Sequence, residues 1–230
     1  MTLLIAGGSG LLGTELVRRA VAAGHPTAAT YATRPGGTPE VAWHHLDLRN
    51  PSSGAAVVAE LSPRVIINAS SGGADWAVTA EGPIRLAIAA AKAGSRMIQV
   101  SSDAVFSGKT RVHYDEHCRP DPITPYGAAK AAAETVLLVH SDAVVARTSL
   151  IIGDGQSGHE RTVHELATGT REGVLFTDDF RCPVHVSDLA AALLELAWGD
   201  TTGIHHLGGS QAISRHVPCQ VHLFAFCGVL

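Results

Sequence analysis

The chain has 230 residues, 46% of them hydrophobic, which suits one compact α/β domain or one domain with a small appended lobe. Its 17 basic and 21 acidic residues leave a net charge of −4, with no basic run or arginine stripe, which argues against nucleic acid as a partner. The longest apolar stretches are strand-length or broken by Gly and charge, so none is expected to span a membrane.

Thr2-Leu-Leu-Ile-Ala6 lacks a basic flank and runs straight into glycines, so it reads as a buried strand and not as a signal peptide. Gly7-Gly8-Ser9-Gly10-Leu11-Leu12-Gly13 follows, and Leu11, Leu12, Leu16, Val17, Ala20 and Val21 recur with a helical period up to Gly24. A strand, a tight glycine turn and a helix N-terminus form a site for a pyrophosphate, because backbone N–H groups and the positive helix end point at the anion. Gly7, Ser9, Gly10, Leu11, Leu12 and Gly13 are therefore expected to bind a dinucleotide, with Gly13 allowing the helix to pack closely on the strand.

The next strand covers about Thr27 to Ala32. An NAD site usually has Asp or Glu at its end for the ribose 2′-hydroxyl; here Tyr31 stands there and Arg34 follows, with no acid between Pro26 and Pro39. That pattern suits a 2′-phosphate, so NADP(H) is expected over NAD(H). A third strand, Val41 to Leu46, ends at Asp47 and Leu48, placed to meet the adenine. A helix from about Ser53 to Leu61 leads to the strand Arg64 to Ser70. Ala69, Ser70 and Ser71 at its end are small enough for a ribose or nicotinamide to approach the backbone. An Ala-rich helix from about Trp76 to Ala93 stops at Gly94, a C-cap. Strands and helices alternating at this spacing argue for a parallel, doubly wound sheet.

The fifth strand, Arg96 to Ser101, opens into Ser102-Asp-Ala-Val-Phe-Ser-Gly108. Tyr126 and Lys130, four apart in a run that turns helical after Pro125, share one helical face. A lone Tyr-x-x-x-Lys also arises by chance on surface helices. With Ser102 at the carboxyl edge of the sheet, the three form a set for carbonyl reduction. Ser102 polarises the carbonyl, Tyr126 supplies a proton, and Lys130 lowers the tyrosine pKa and holds ribose hydroxyls.

These segments resemble the extended short-chain dehydrogenase/reductase superfamily, and within it the dTDP-4-dehydrorhamnose reductase branch. The likeness rests on Ser101-Ser-Asp-Ala-Val-Phe-Ser-Gly108, on Asp115, Glu116, Pro120, Pro122 and Pro125 before Tyr126, and on Tyr126-Gly-Ala-Ala-Lys130-Ala-Ala-Ala-Glu134. Arg147-Thr-Ser149 and Pro183-Val-His-Val-Ser-Asp188-Leu-Ala190 extend it. The resemblance implies a Rossmann-type fold with a small C-terminal substrate lobe, and Ser102, Tyr126 and Lys130 in the catalytic positions. It implies a nucleotide-linked sugar as substrate, with Asp103, Val105, Phe106 and Arg181 facing it. Two positions depart from the pattern. Ala104 stands where the branch usually has Tyr, and Thr79 stands near where many extended members have Asn. The dehydratases of the superfamily pair Asp with Glu; with Ala104 after Asp103 that second acid is missing, so elimination is not expected. Asp103 can equally serve as a capping carboxylate.

A sixth strand, Val144 to Thr148, is followed by the glycine-rich Ile151–Gly158, a helix from about Glu160 to Thr168 and a short strand Val174 to Phe176. Arg171 and Arg181 can fork onto a diphosphate or pair with Glu172, Asp178 or Asp179. A helix from Ser187, its N-cap, to Trp198 comes next, then the strand Gly203 to Leu207. Ser214-Arg215 resembles the start of a helix that runs into an apolar tail, His216 to Leu230, readable as a strand-like cover, a dimer element or the product of an altered reading frame. The expected division is a nucleotide-binding domain over 1–150 and a small substrate lobe over 151–230, with Val184–Trp198 packing back on the first. Cys118, Cys182, Cys219 and Cys227 form no CxxC pair, so reduced thiols in the cytoplasm are expected. His44-His45 and His205-His206 would point to opposite faces of a strand, and no metal is expected. The function expected is reduction of a keto group on a nucleotide sugar, with a sugar-nucleotide epimerase or a non-catalytic NADP-binding regulatory protein as alternatives. A homodimer is the partner envisaged besides the substrate.

Overall fold

The computed structural model describes residues 2–109 and 113–215. The tail from His216, with Cys219 and Cys227, lies outside the described residues. The strands Leu3–Ala6 (β1), Thr27–Tyr31 (β2), Ala42–His45 (β3) and Val65–Asn68 (β4) are the first half of a parallel sheet. Helices Leu11–Ala22 (α1) and Ser53–Leu61 (α2) connect them. A π-helical turn, Ala77–Glu81, leads into Gly82–Ala93 (α3), which ends at Gly94 with φ of 67°. The strand Arg96–Ser102 (β5) and a 3₁₀ turn, Asp103–Val105, precede Pro125–Ala133 (α4) and the short Val136–Val139 (α5). Ala143–Thr148 (β6), Ile151–Ile152 (β7), Gly158–Ala167 (α6), Phe180–Arg181 (β8), Val184–His185 (β9), Val186–Trp198 (α7), Gly203–Leu207 (β10) and Ile213–Ser214 (β11) complete the order.

The main sheet has seven strands in the order β10-β6-β5-β4-β1-β2-β3, all parallel. β1, β4, β5 and β6 are buried along their whole length, as strands covered by helices on both faces must be. One face packs Leu12, Leu16, Val17 and Ala20 of α1 against Leu189, Ala190, Leu193 and Ala197 of α7. The other packs Val57 and Val58 of α2 with Leu86, Ala87 and Ala90 of α3 and Val136 of α5. The sheet is therefore doubly wound, as predicted. α7 lies back on α1, and β10, also from beyond residue 150, pairs with β6.

Four local expectations need correction. Val174–Phe176 is no strand: Val174 and Phe176 are exposed, and apolar character alone supplies no ladder partner. The strand there is β8, which pairs antiparallel with β11, so Ser214 ends a strand where a helix start was expected. Within the glycine-rich connection, β7 pairs with β9. The N-cap of α7 is His185, whose Nδ1 accepts from the Ser187 N–H at 3.2 Å; Ser187 lies inside the first turn.

Candidate active site

The order of the sheet reverses between β1 and β4, and ligands of open α/β sheets bind beyond the carboxyl ends of the strands at such a reversal. There the two loops touch. A Cβ on Gly7 would lie 2.7 Å from the Ser70 Cα, and Gly7 has φ of +78°, so only glycine fits. A Cβ on Gly13 would lie 2.1 Å from the Gly7 carbonyl oxygen, which is the close helix–strand contact expected of it. The turn is tied by two bonds: Gly7 N–H donates to Thr30 Oγ1 at 3.1 Å, and Gly10 N–H donates to the Gly7 carbonyl at 3.1 Å. α1 then starts with Gly10 as N-cap, no side-chain cap and no acid in its first turn. Its positive end is left for an anion, so this loop fits a dinucleotide pyrophosphate.

The remaining residues expected at the cofactor fall into three groups. Ser9 is exposed and Leu11 half-buried, but Leu12 is buried, so its side chain serves the core and only its backbone faces the loop. Asp47 sits just beyond β3 and accepts from the Arg49 N–H at 2.9 Å, whereas Leu48 is buried against Gly82. Ala69 and Ser70 are half-buried and Ser71 is exposed. Arg34 is exposed on the loop after β2.

Thr124 caps α4, its Oγ1 accepting from Gly127 N–H at 3.0 Å, and Pro125 occupies the first turn where its missing N–H costs nothing. This starts the helix one residue before Tyr126. The phenol lies within hydrogen-bonding reach of the Ser102 and Ser71 hydroxyls. Lys130, one turn on, is almost fully buried, with Nζ 5.9 Å from the Tyr126 ring centroid. It donates to the Val100 carbonyl at 3.0 Å.

The electrostatics differ from the expectation in one respect. Burial raises the Tyr126 phenol above its ordinary value, the Ser102 and Ser71 hydroxyls pull it down, and the Asp103 carboxylate pushes it up; Lys130 contributes no lowering. The ammonium is held by the Val100 carbonyl. Burial brings Lys130 itself down to about 8, with Glu134 opposing. At neutral pH the group set is thus a neutral phenol beside a lysine that still holds its proton.

Of the residues expected to face a substrate, Asp103 and Arg181 meet. Arg181 Nη1 lies 3.2 Å from Asp103 Oδ1, its Nε donates to Asp179 at 2.9 Å, and Ser149 Oγ donates to Asp103 Oδ2 at 2.6 Å. Arg171 pairs with Glu165, not with the acids expected. Val105 is completely buried, so its side chain offers nothing to a ligand. Phe106 is also buried, stacked on Tyr114 with centroids 4.2 Å apart and with the Arg147 guanidinium 5.0 Å from its ring.

Two residues with a place here carried no expectation. Asn68 and Gln99 sit fully buried in β4 and β5, where Asn68 Nδ2 donates to Gln99 Oε1 at 2.8 Å. Gln99 in turn donates to the Val100 carbonyl at 2.9 Å, and Asn68 accepts from the Ser70 N–H at 3.2 Å and from its hydroxyl. This chain joins the Ser70 loop to the anchor of Lys130. The signal was available: an amide at the same register in β4 and β5, each directly after an apolar run. Thr79 in the π-helical turn accepts from Gly72 N–H at 3.0 Å and so shapes the loop after β4.

Residues 1–224 match the family described as RmlD substrate binding domain. A dTDP-4-dehydrorhamnose reductase of Mycobacterium tuberculosis (strain ATCC 25618 / H37Rv) is 29% identical, over 98% of this chain and 75% of its own length. The structure superposes with TM-score 0.81 on a dTDP-4-dehydrorhamnose reductase from Bacillus anthracis solved with NADP, at 24% identity, covering 100% of this chain and 81% of that one. It superposes with TM-score 0.85 on a UDP-glucose 4-epimerase from Thermus thermophilus solved with NAD, at 21% identity, covering 98% and 83%. At those identities the two structures speak for the fold.

Proposed function

The chain belongs to the RmlD substrate binding domain family, and from that premise we propose that it is a nicotinamide-dependent oxidoreductase that reduces the keto group of a nucleotide-linked sugar of the dTDP-4-dehydrorhamnose kind. The observation that carries this reading is the meeting of Tyr126, Ser102 and buried Lys130 at the carboxyl edge of the sheet, beside a helix end free to take a pyrophosphate. Gly7, Ser9, Gly10 and Gly13, with the backbone of Leu11 and Leu12, hold the pyrophosphate. Asp47 and the backbone of Leu48 meet the adenine, and Ala69, Ser70 and Ser71 line the ribose and nicotinamide. Arg34, with no acid in the same loop, favours NADP(H) over NAD(H) through a 2′-phosphate.

A reduced nicotinamide bound at this edge supplies a hydride to the carbonyl carbon. Tyr126 gives its phenolic proton to the carbonyl oxygen. Ser102 donates a hydrogen bond to the same oxygen. Lys130, protonated below about 8, holds ribose hydroxyls beside it. Residues 1–150 form the cofactor half and the segment from 151 the substrate-facing lobe, whose Arg181 meets Asp103 of the 3₁₀ turn so that the two orient the sugar nucleotide. Ala104 after Asp103 leaves no second acid for elimination, which favours reduction over dehydration. The reading places the protein in the cytoplasm with reduced thiols; no helix among the described residues is long and apolar enough to cross a membrane. The test is a screen of nucleotide-sugar ketones with NADPH, followed at the nicotinamide absorbance. Oxidation of NADPH supports a reductase. Interconversion of sugar epimers without net oxidation replaces it with an epimerase. Silence with cofactor bound replaces it with a regulatory role.

A further inference from the structure

Tyr126, Lys130 and Glu134 follow one another at intervals of four, so they share a face of α4 and its C-terminal cap. The Glu134 carboxylate is buried and bonded on both oxygens. Oε1 accepts from Ser101 Oγ at 2.7 Å and from Arg147 Nε at 2.9 Å, and Oε2 accepts from Arg147 Nη2 at 2.7 Å. Ser101 is the residue before Ser102 and the register partner of Arg147 across β5 and β6. Arg147 also donates to the Cys118 carbonyl at 3.4 Å and lies over Phe106. One two-pronged contact therefore meets α4, β5, β6 and the segment leading to α4. We propose that Glu134 and Arg147 are a positioning pair that holds α4, and with it Tyr126 and Lys130, in place against Ser102; this rests on the reading of those three residues given above.

The physical case is one of direction. A buried ion pair contributes little to stability compared with apolar side chains of like volume, but a two-pronged guanidinium–carboxylate contact fixes orientation. Here it fixes the far end of α4, two turns from Tyr126, while Thr124 fixes the near end. The pair also sets the charge around Lys130. Tyr126 and Glu134 share its face of α4 and β5 offers the Val100 carbonyl; Asp103 of the 3₁₀ turn acts on Tyr126, and Arg147 of β6 is bonded to Glu134. His206 of β10 stands behind Arg147, 3.5 Å from Nη1, and Glu81 of the π-helical turn is exposed and paired with Arg85. Glu134 is the carboxylate whose field favours the ammonium. Without its charge, Lys130 and Arg147 are left as two buried cations.

The chain has three lysines, Lys92, Lys109 and Lys130, so ¹³Cε-lysine NMR can titrate Lys130 directly, with Lys130→Arg assigning its signal. In Glu134→Gln, which keeps hydrogen-bonding capacity, the Lys130 inflection falls by about 1 pH unit and kcat drops about 10-fold or more with little change in the KM for NADPH. Glu134→Gln/Arg147→Met removes both charges and keeps the volume. Its Lys130 inflection returns toward wild type while kcat stays low, because the orientation is still lost. Both variants folded by circular dichroism, with wild-type kcat and an unmoved inflection, would overturn the proposal. A wild-type chain silent on every ketone, with the inflection moved in Glu134→Gln, removes the reductase reading and supports the pair.

Discussion

Gly127 of α4 is packed onto the carbonyl oxygen of Ala104: a Cβ at Gly127 would lie 2.1 Å from it. That contact sets the depth of the helix carrying Tyr126 against the turn that begins at Ser102, and no side chain fits between them. Gly127→Ala must push the two apart by more than an ångström. Displacements of that size in a reacting set cost about 10²-fold in rate. The expected result is a folded protein with kcat about 100-fold lower and NADPH affinity close to wild type, measured by steady-state kinetics and fluorescence titration. Wild-type turnover would show that Tyr126 does not act from this helix position.

Tyr126→Phe removes the proposed proton donor and keeps the ring. Burial already holds the phenol above its ordinary value, so the tyrosine is protonated across the neutral range and ready to act as an acid. Loss of a general acid costs about 10²–10⁴-fold, so kcat should fall by that factor with cofactor binding retained. Turnover within a few-fold of wild type would remove the phenol from the reaction.

The comparison of sequence with structure divides by range. Features set by neighbours in the chain were legible: Gly7 to Gly13 before a helical period, Gly94 as a C-cap, Pro125 ahead of Tyr126. Features set by tertiary contact were not. Glu134 and Arg147 are 13 apart in the chain and meet only because β6 lies beside β5. Val105 has the character of a pocket-lining residue, and only the packing of the 3₁₀ turn shows that it is buried. The expected lowering of the Tyr126 pKa assumed that spacing alone brings the ammonium to the phenol, whereas the Val100 carbonyl of β5, a tertiary neighbour, captures it. Val174 to Phe176 shows the converse: an apolar run with no partner strand stays exposed.

Arg34 stands exposed after β2, in a loop free of acids, and makes no ion pair among the described residues. A guanidinium there favours a 2′-phosphate over a 2′-hydroxyl. NADPH is expected to bind at least about 10-fold tighter than NADH, and Arg34→Ala to close most of that gap while leaving NADH affinity unchanged. Competitive titration of the two cofactors measures both. NADH binding tenfold tighter than NADPH to the wild type would reverse the assignment.

Arg181 bridges Asp103 and Asp179 and remains about a quarter exposed, 27% by side chain. A sugar-nucleotide diphosphate reaching this cleft would compete with those carboxylates for the guanidinium. Arg181→Ala should therefore raise the KM for the sugar nucleotide about 10-fold or more, with a smaller effect on kcat. Equal losses in kcat and kcat/KM would instead place Arg181 at the transition state.

On the proposed reading, Lys130 sets function against stability. Its ammonium is buried, and burial lowers it from 10.5 to about 8. Below about 8 the folded protein carries the full cost of the buried charge. Between there and 10.5 the unfolded chain binds a proton that the folded chain has released, so the Lys130 contribution to stability improves as pH rises. Lys130→Met removes that cost without orphaning its acceptor, because the Val100 carbonyl still receives Gln99 Nε2 at 2.9 Å. The expected variant is inactive yet melts about 3–10 °C higher at pH 7, with the gain shrinking toward pH 10. Turnover should also decline in the wild type above about 8, as the ammonium is lost. Thermal melts by circular dichroism at the two pH values check the stability side. A lower melting temperature for Lys130→Met at pH 7 would mean that the ammonium stabilises the fold, and that its burial is not a concession to catalysis.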